Sequence, residues 1–438
     1  MKRGSISRRR GNRPCPLRFS RGRATGPTGL DHSTITGNSQ VVAVASNFYI
    51  PFAQFTDSNN ELLHNPPANP SGNALIYTNR NPGPIVFAIT NPGSLQVYSP
   101  SAIAGGVQKL VDNASPIPRD RVFFNYNYFD NTPVQINGHS LNVNRLTPGF
   151  EKTFFNQRMS FELRVPFATT VDNFNLTPGM TNTSNIILGN QTTYLKALLY
   201  TDPAFSFTSG IGLQMPTGAN STYGVNGYSY NYANNAVTTT GQQTLLRVNN
   251  DAVHLLPYLG AVYTPNDRLW GQAVAQFDFA TNGNAVYNAA QYPQVMQNGN
   301  IVSTTTPMVR AGTLNDTSFM YLSANAGYWM YKVRNPYEKG ITGFAPTVEL
   351  DYNQSLQRSD VVAGYYGNSA NTIGNQSIVN GVIGANTVIG HNKYLSVAYV
   401  APFTTGVNRV FDGELRVMFN YYFGAPRVNP RFSNVPGQ

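Results

Sequence analysis

The sequence predicts an all-β fold, a membrane-crossing antiparallel β-barrel of about twelve strands (range about ten to fourteen) with long polar loops at one end and short turns at the other. Three observations predict it. The chain holds 26 Tyr, 25 Phe, 39 Gly and 29 Pro but only 11% charged residues, which favours strands and turns over helical bundles. From Arg121 almost to the end, segments of about ten residues alternate between apolar and polar with the period of a strand. The connections between them alternate in length, a pattern that a soluble sandwich has no reason to adopt. With 41% hydrophobic residues the chain as a whole is not disordered.

Residues 1–40 read as a disordered basic arm. Lys2, Arg3, Arg8, Arg9, Arg10, Arg13, Arg18, Arg21 and Arg23 supply nearly all of the net charge of +10, and the rest of the chain is close to neutral. No apolar run of about 18 residues provides a helical span. No 7–15-residue apolar core follows the arginines to make a signal peptide, an absence that a misassigned start would explain. The single Cys15 excludes a disulfide framework within one chain.

Residues 41–120 form an N-terminal segment. Ser46 to Phe55 is a candidate strand, and Gly105 to Asp120 reads either as a partial plug of the lumen, with a helical turn or two over Gly106 to Ala114, or as a linker below it. The linker reading is preferred.

Residues 121–424 carry the barrel pattern. In Arg121 to Asp130, Val122, Phe124, Tyr126 and Tyr128 oppose Asn125 and Asn127. In Arg158 to Thr169, Met159, Phe161, Leu163, Val165 and Phe167 oppose Ser160, Glu162 and Arg164. Phe205 to Met215 sets Phe207, Ile211 and Leu213 against Thr208 and Gln214, and Trp270 to Thr281 sets Ala273, Ala275, Phe277 and Phe279 against Gln272, Gln276 and Asp278. Gly343 to Asn353 sets Phe344, Val348, Leu350 and Tyr352 against Thr347, Glu349 and Asp351. Asp412 to Phe423 sets Leu415, Val417, Phe419 and Tyr421 against Glu414, Arg416 and Asn420. Weaker segments are Phe150 to Phe155, Thr192 to Thr201, Leu255 to Tyr263, Ser318 to Val333 and Lys393 to Phe403. The tally is odd, and bacterial single-chain barrels use even numbers. The missing strand is expected within Ser46 to Phe55 or within Ser377 to Gly390. Long connections are expected near 131–148, 170–190, 216–252, 282–317 and 356–392, with Thr404 to Arg409 among the short turns. Residues 425–438 form a C-terminal tail.

The run from Asp120-Arg121-Val122-Phe123-Phe124 to Phe419-Asn420-Tyr421-Tyr422-Phe423 resembles bacterial outer-membrane β-barrel proteins of the transporter or porin-like kind. The resemblance is one of pattern and covers residues 120–424. It implies residence in the bacterial outer membrane among its lipids, passive passage of small solutes, no enzymatic turnover and no cofactor. It also implies handling by the barrel-assembly machinery, which reads an aromatic residue closing the last strand. Phe423 matches that signal in kind but is followed by fifteen residues, 424–438.

If the polar faces line a pore, Glu162, Arg164, Gln272, Gln276, Asp278, Glu349, Asp351, Glu414 and Arg416 meet the solute, and their mixed signs predict weak ion preference. The alternative is that these charges pair between strands and hold the lumen together. His32, His64, His139, His254 and His391 show no metal-ligand spacing and are expected in loops or at strand ends. His139-Ser140 does not by itself establish a hydrolytic pair. A second reading is a viral capsid protein with jelly-roll domains, whose basic arm would neutralise nucleic acid.

Overall fold

The computed structural model describes residues 115–423 except 133–140, 170–173, 177–185, 232–235, 290–306, 334–338, 359, 365–366 and 371–374. It also describes 40–43, 75–78, 96–97 and 110. Residues 1–39, the Ser46 to Phe55 segment and the tail 425–438 lie outside the described residues, as does the predicted helical turn apart from Leu110.

Twelve strands build one closed wall. They are β1 Arg121–Thr132, β2 Leu141–Phe154, β3 Met159–Arg164, β4 Gln191–Thr201, β5 Phe205–Met215 and β6 His254–Tyr263. The second half is β7 Leu269–Ala280, β8 Phe319–Tyr328, β9 Ile341–Ser355, β10 Ser377–Ile389, β11 Lys393–Pro402 and β12 Gly413–Tyr422. Each strand pairs antiparallel with the one before it, and β12 pairs back onto β1 from Gly413↔Asp130 to Tyr422↔Arg121. A jelly roll would stack two sheets with Greek-key crossings. The single up-and-down ring overturns the capsid reading.

Two-residue periodicity puts alternate side chains on opposite faces, and here the faces are inverted relative to a soluble protein. On β1, Val122 and Phe124 are exposed while Arg121, Asn125 and Asn127 are buried. The outward positions of β3 to β12 follow suit with Phe161, Leu195, Ile211, Leu259, Leu322, Val348, Leu350, Ile383, Val397 and Phe419 exposed. Among the described residues of the twelve strands, charged outward side chains occur only towards the strand ends, at Asp130, Lys152 and Lys393. Phe154, Phe155, Tyr200, Tyr263, Tyr328, Tyr331 and Tyr421 form an exposed aromatic collar around the short-turn end. An apolar surface on every side cannot face water alone, and a band with an aromatic girdle matches the profile of a bilayer.

The missing strand is Ser377–Ile389, whose Ile378, Asn380, Val382 and Asn386 turn inward. Its Gly and Asn content weakened the pattern in the sequence. Inserting it reverses the parity of the later connections. Residues 390–392 become the short turn, and Thr404 to Arg409, expected among the short turns, falls on the long-loop side. The loop expected at 356–392 accordingly ends at 376. Two further expectations shift: β2 begins at Leu141, within the loop placed at 131–148, and Ser318 to Val333 breaks after Tyr328, leaving Tyr331–Lys332 as a separate pairing with β9. The expected loops also hold strands. Ser221–Asn231 and Ala236–Val248 pair as a hairpin, joined by Asn284–Ala289 and Met308–Leu314 into a sheet on the long-loop side. Thr, Tyr and Val favour strands there, but no apolar face marks the segment in the sequence.

At Gly149 of β2 an added Cβ would stand 2.2 Å from the Phe123 ring and 2.6 Å from the Leu163 carbonyl of β3. Gly149→Val therefore overpacks the seam between three strands. A cost of about 1–3 kcal/mol is expected, read as an earlier loss of the heat-modifiable gel band in detergent.

Candidate functional site

The interior surface is built from two ion networks. Strand register lines up Arg121, Glu151 and Glu162 on β1, β2 and β3. Arg121 Nε donates to Glu151 Oε2 and Nη2 to Glu162 Oε2, both at 2.9 Å, while Nη1 reaches Asn420 Oδ1. Lys196 on β4 pairs with both Glu162 and Glu151, Arg164 caps Glu162, and Ser160 Oγ donates to Glu151 Oε1 at 2.6 Å. Glu151, Glu162 and Lys196 have no solvent exposure. Charges so buried persist only when paired and hydrogen-bonded on all sides.

The second network centres on Arg416 of β12. Its guanidinium lies 2.8 Å from Glu414, 3.3 Å from Glu349 and 3.5 Å from Asp351. Glu349 and Asp351 sit on β9, with β10 and β11 in between. The inward residues there are Gly384 and Ala398, in register with Thr347 and Arg416. Small side chains at those two positions leave the path open for the arginine to reach across. Asn127 Nδ2 on β1 donates to Glu414 Oε1 at 2.8 Å and closes the group.

Residues preceding β1 occupy the interior. Leu110 is fully buried; its N–H donates to Gln276 Oε1 at 2.7 Å, and its carbonyl accepts from Arg164 Nη2 at 3.1 Å. Pro116 fits a notch at Gly260, where a Cβ would come within 2.6 Å of the proline ring. Ile117, also fully buried, packs among Val262, Trp270, Trp329, Ala345, Val388 and Tyr394, with Tyr422 against the same cluster. Those residues belong to β6, β7, β9, β10, β11, β12 and the turn after β8, so the cluster spans the short-turn end of the barrel. Arg119 N–H donates to Glu151 Oε1, and burial holds its guanidinium pKa below the ordinary value. Asp120 then clamps the segment to β2, accepting from Thr153 N–H at 2.6 Å, Thr153 Oγ at 2.8 Å and Lys152 Nζ at 3.0 Å. Burial alone would raise the Asp120 pKa; the Thr153 bonds and the Lys152 ammonium outweigh it and hold the carboxyl below its ordinary 3.8.

The nine polar residues singled out as pore-lining are thus all inward, but in different company. Glu162 and Arg164 join the first network, and Glu349, Asp351, Glu414 and Arg416 the second. Gln276 holds Leu110, and Gln272 is buried on β7. Asp278 accepts from His254 Nδ1 at 2.6 Å, while His254 Nε2 lies 3.0 Å from Asp316 in the loop beyond β7. His254, the first residue of β6, lies at a strand end as expected and is buried; His391 is exposed in a turn, and His32, His64 and His139 lie outside the described residues. Phe423 directly follows β12, its N–H on the Asp120 carbonyl and the Lys152 ammonium 5.6 Å from its ring. Arg121, Glu151, Lys196, His254 and Asp316 were not singled out. Parity would have placed Glu151 and Lys196 inward, opposite Phe150 and Leu195, whereas Asp316 lies in a loop without periodicity.

No protein-family model and no curated protein matches this sequence. Solved structures with a similar chain path include an outer membrane channel from Pseudomonas putida F1, 12% identical, covering 72% of this chain and all of that one, at a TM-score of 0.41. The KdgM porin is 11% identical, covering 69% of this chain and 99% of that one, at 0.33. The Pseudomonas putida toluene transporter TodX is 9% identical, covering 76% and 99%, at 0.33.

Glu162→Gln removes a carboxylate that compensates three buried cations. Destabilisation of about 3–5 kcal/mol is expected, measured by denaturant unfolding in detergent. For Asp120 the folded pKa is depressed, so its contribution is complete above the ordinary aspartate range and is lost as pH falls through the folded value. Protease nicking ahead of β1 should therefore rise below about pH 3.8, and Asp120→Asn should produce the same nicking at neutral pH, with a loss of about 1 kcal/mol.

Proposed function

We propose that the chain is a passive channel for small solutes in the bacterial outer membrane, without enzymatic turnover, and that Leu110 and residues 115–120 plug its short-turn end. The observation that carries this reading is the inversion of the wall, apolar on its entire outer circumference and polar and charged within. An outer face of that kind needs outer-membrane lipid, and an inner face of that kind is suited to hydrated solutes. In this reading Glu162, Arg164, Gln272, Gln276, Asp278, Glu349, Asp351, Glu414 and Arg416 line or frame the route. The ion networks serve both roles weighed for them, holding the wall together and setting the field along it. Phe423, at the end of the strand that seals the ring, is the element the barrel-assembly machinery would read.

The plug supplies the test. Full-length chain and a chain lacking residues 1–119 are refolded in detergent, checked for heat-modifiable mobility and inserted into planar bilayers. The shortened chain should conduct at least several-fold more than the full chain at the same applied voltage. Folded barrels that stay electrically silent in both forms would refute the channel reading, and equal conductance would refute the plug.

A further inference from the structure

One facet of the outer wall is recessed. Outward side chains stand in register across β5 to β9 as Phe207, Ala261, Ala273, Ala324 and Leu350, so three consecutive strands present alanine at one height. In the next row Ala275 lies between Leu259 and Leu322, and in the row on the other side Gly271 and Ala326 follow Tyr263. Leu259 and Leu350 are 49% and 52% exposed and stand as ridges beside the alanines, which leaves a recess of about 400 Å³ open on its outer side. An apolar hollow on a face that meets hydrocarbon excludes water and takes apolar groups.

The recess leads to a cation. Along β7 towards the short turns, the outward residues beyond Ala273 are Gly271 and Leu269, and a Cβ built on Gly271 would meet nothing nearer than the Asn325 carbonyl, at 3.4 Å, so the path is clear. Arg268 ends the turn that feeds β7. Its N–H donates to Asn266 Oδ1 at 2.9 Å, and its carbonyl accepts from the Trp329 N–H at 2.9 Å. The Arg268 side chain is exposed, and its guanidinium has no partner among the described residues. Asp267 shares the turn, so the attraction here is that of one guanidinium for one anionic group rather than of a broad positive field. From Arg268 to Ala273 the strand rises about 17 Å, or about 13 Å along the barrel axis after the usual tilt. One leaflet of hydrocarbon is about 15 Å deep, so an acyl chain whose headgroup sits at the turn passes over the recess.

We propose that this facet binds a single glycerophospholipid, with an acyl chain in the recess over Ala273 and Ala324 and the phosphate on the Arg268 guanidinium. The planar fork of a guanidinium matches phosphate oxygens. A second copy of the chain is the other occupant that small residues on a lipid-facing wall could admit, and it fits less well. Barrel walls are convex, so a partner wall would rest on Leu259 and Leu350 and leave the hollow empty. A two-fold axis through the facet would also set the two Arg268 side chains against each other. The site depends on the wall lying in a membrane and not on the passage of solute.

Retention of lipid is the measurement. Full-length protein in a non-phospholipid detergent is titrated with 1-palmitoyl-2-oleoyl phosphatidylethanolamine or with the matching diacylglycerol, which lacks the phosphate, and native mass spectrometry counts the molecules that stay bound. One phospholipid should be held at least tenfold more tightly than the diacylglycerol. Ala273→Phe, which fills the recess, and Arg268→Gln should each weaken retention at least fivefold, whereas Ile383→Phe, on the outer face of β10, should leave it unchanged. All three positions are exposed, heat-modifiable mobility verifies that the variants fold, and the comparison of the two lipids on the unaltered chain stands without them. Equal retention of the two lipids, graded attachment of many phospholipids without a preferred first one, or a folded Ala273→Phe chain that holds phospholipid unchanged would overturn the site. A dimer that Ala273→Phe disperses would overturn it too, and assign the facet to a second copy. Selective retention by a barrel that passes no current leaves the site standing while the channel reading falls, and loss of retention in a conducting barrel does the reverse.

Discussion

Everything in this architecture depends on the fate of backbone hydrogen bonds. In hydrocarbon an unpaired N–H or C=O costs several kcal/mol, so a membrane-spanning sheet has to close. The seam from Gly413↔Asp130 to Tyr422↔Arg121 closes this one. Once the ring is shut, the two-residue repeat assigns every side chain to lipid or to lumen. Val122 and Arg121 are adjacent in the chain yet face opposite surroundings. A one-residue slip of β3 or β12 would place Glu162 or Arg416 against acyl chains, so the interior charges also enforce register.

That enforcement creates an interior that needs its own satisfaction. The wall directs two glutamates, two arginines and a lysine into one small region, and their mutual pairing replaces the water they lose. The preceding segment fills space that the wall leaves at Gly260 and offers the Leu110 backbone to Gln276 and Arg164. Ile117 then seats in an aromatic ring of Trp270, Trp329, Tyr394 and Tyr422 contributed by distant parts of the chain. On the far side, Gly384 and Ala398 are small so that Arg416 can cross from β12 to β9.

Much of this was legible in the sequence, because alternation is a local signal. The faces read from β1, β3, β5, β7, β9 and β12 are those the structure displays. What escaped notice had weak local contrast. Ser377–Ile389 intersperses Gly and Asn among its valines and isoleucines, and the strands Ser221–Asn231 and Ala236–Val248 gather apolar residues only at the end, where Leu246 and Val248 are buried. The pairing of Arg416 with Glu349 and of His254 with Asp316 was out of reach for another reason: the partners are separated by 67 and 62 residues in the chain, and only the closed ring brings them together. Leu110 and residues 115–120 read as a linker in the sequence because their fit depends on a notch and an aromatic ring assembled elsewhere.

The position of the seam has a consequence for assembly. β1 and β12 are neighbours in the wall and nearly the whole barrel apart in sequence, so the ring cannot shut until its last strand has arrived. The inner segment joins the wall at Asp120, whose carbonyl accepts the Phe423 N–H at that same seam. It is therefore tethered beside the last gap to close. An open sheet gives Pro116 and Ile117 unobstructed access to their sites, whereas a finished ring would admit them only through an end. The natural sequence of events is for the wall to close around the segment, much as staves are drawn up around a core already in place.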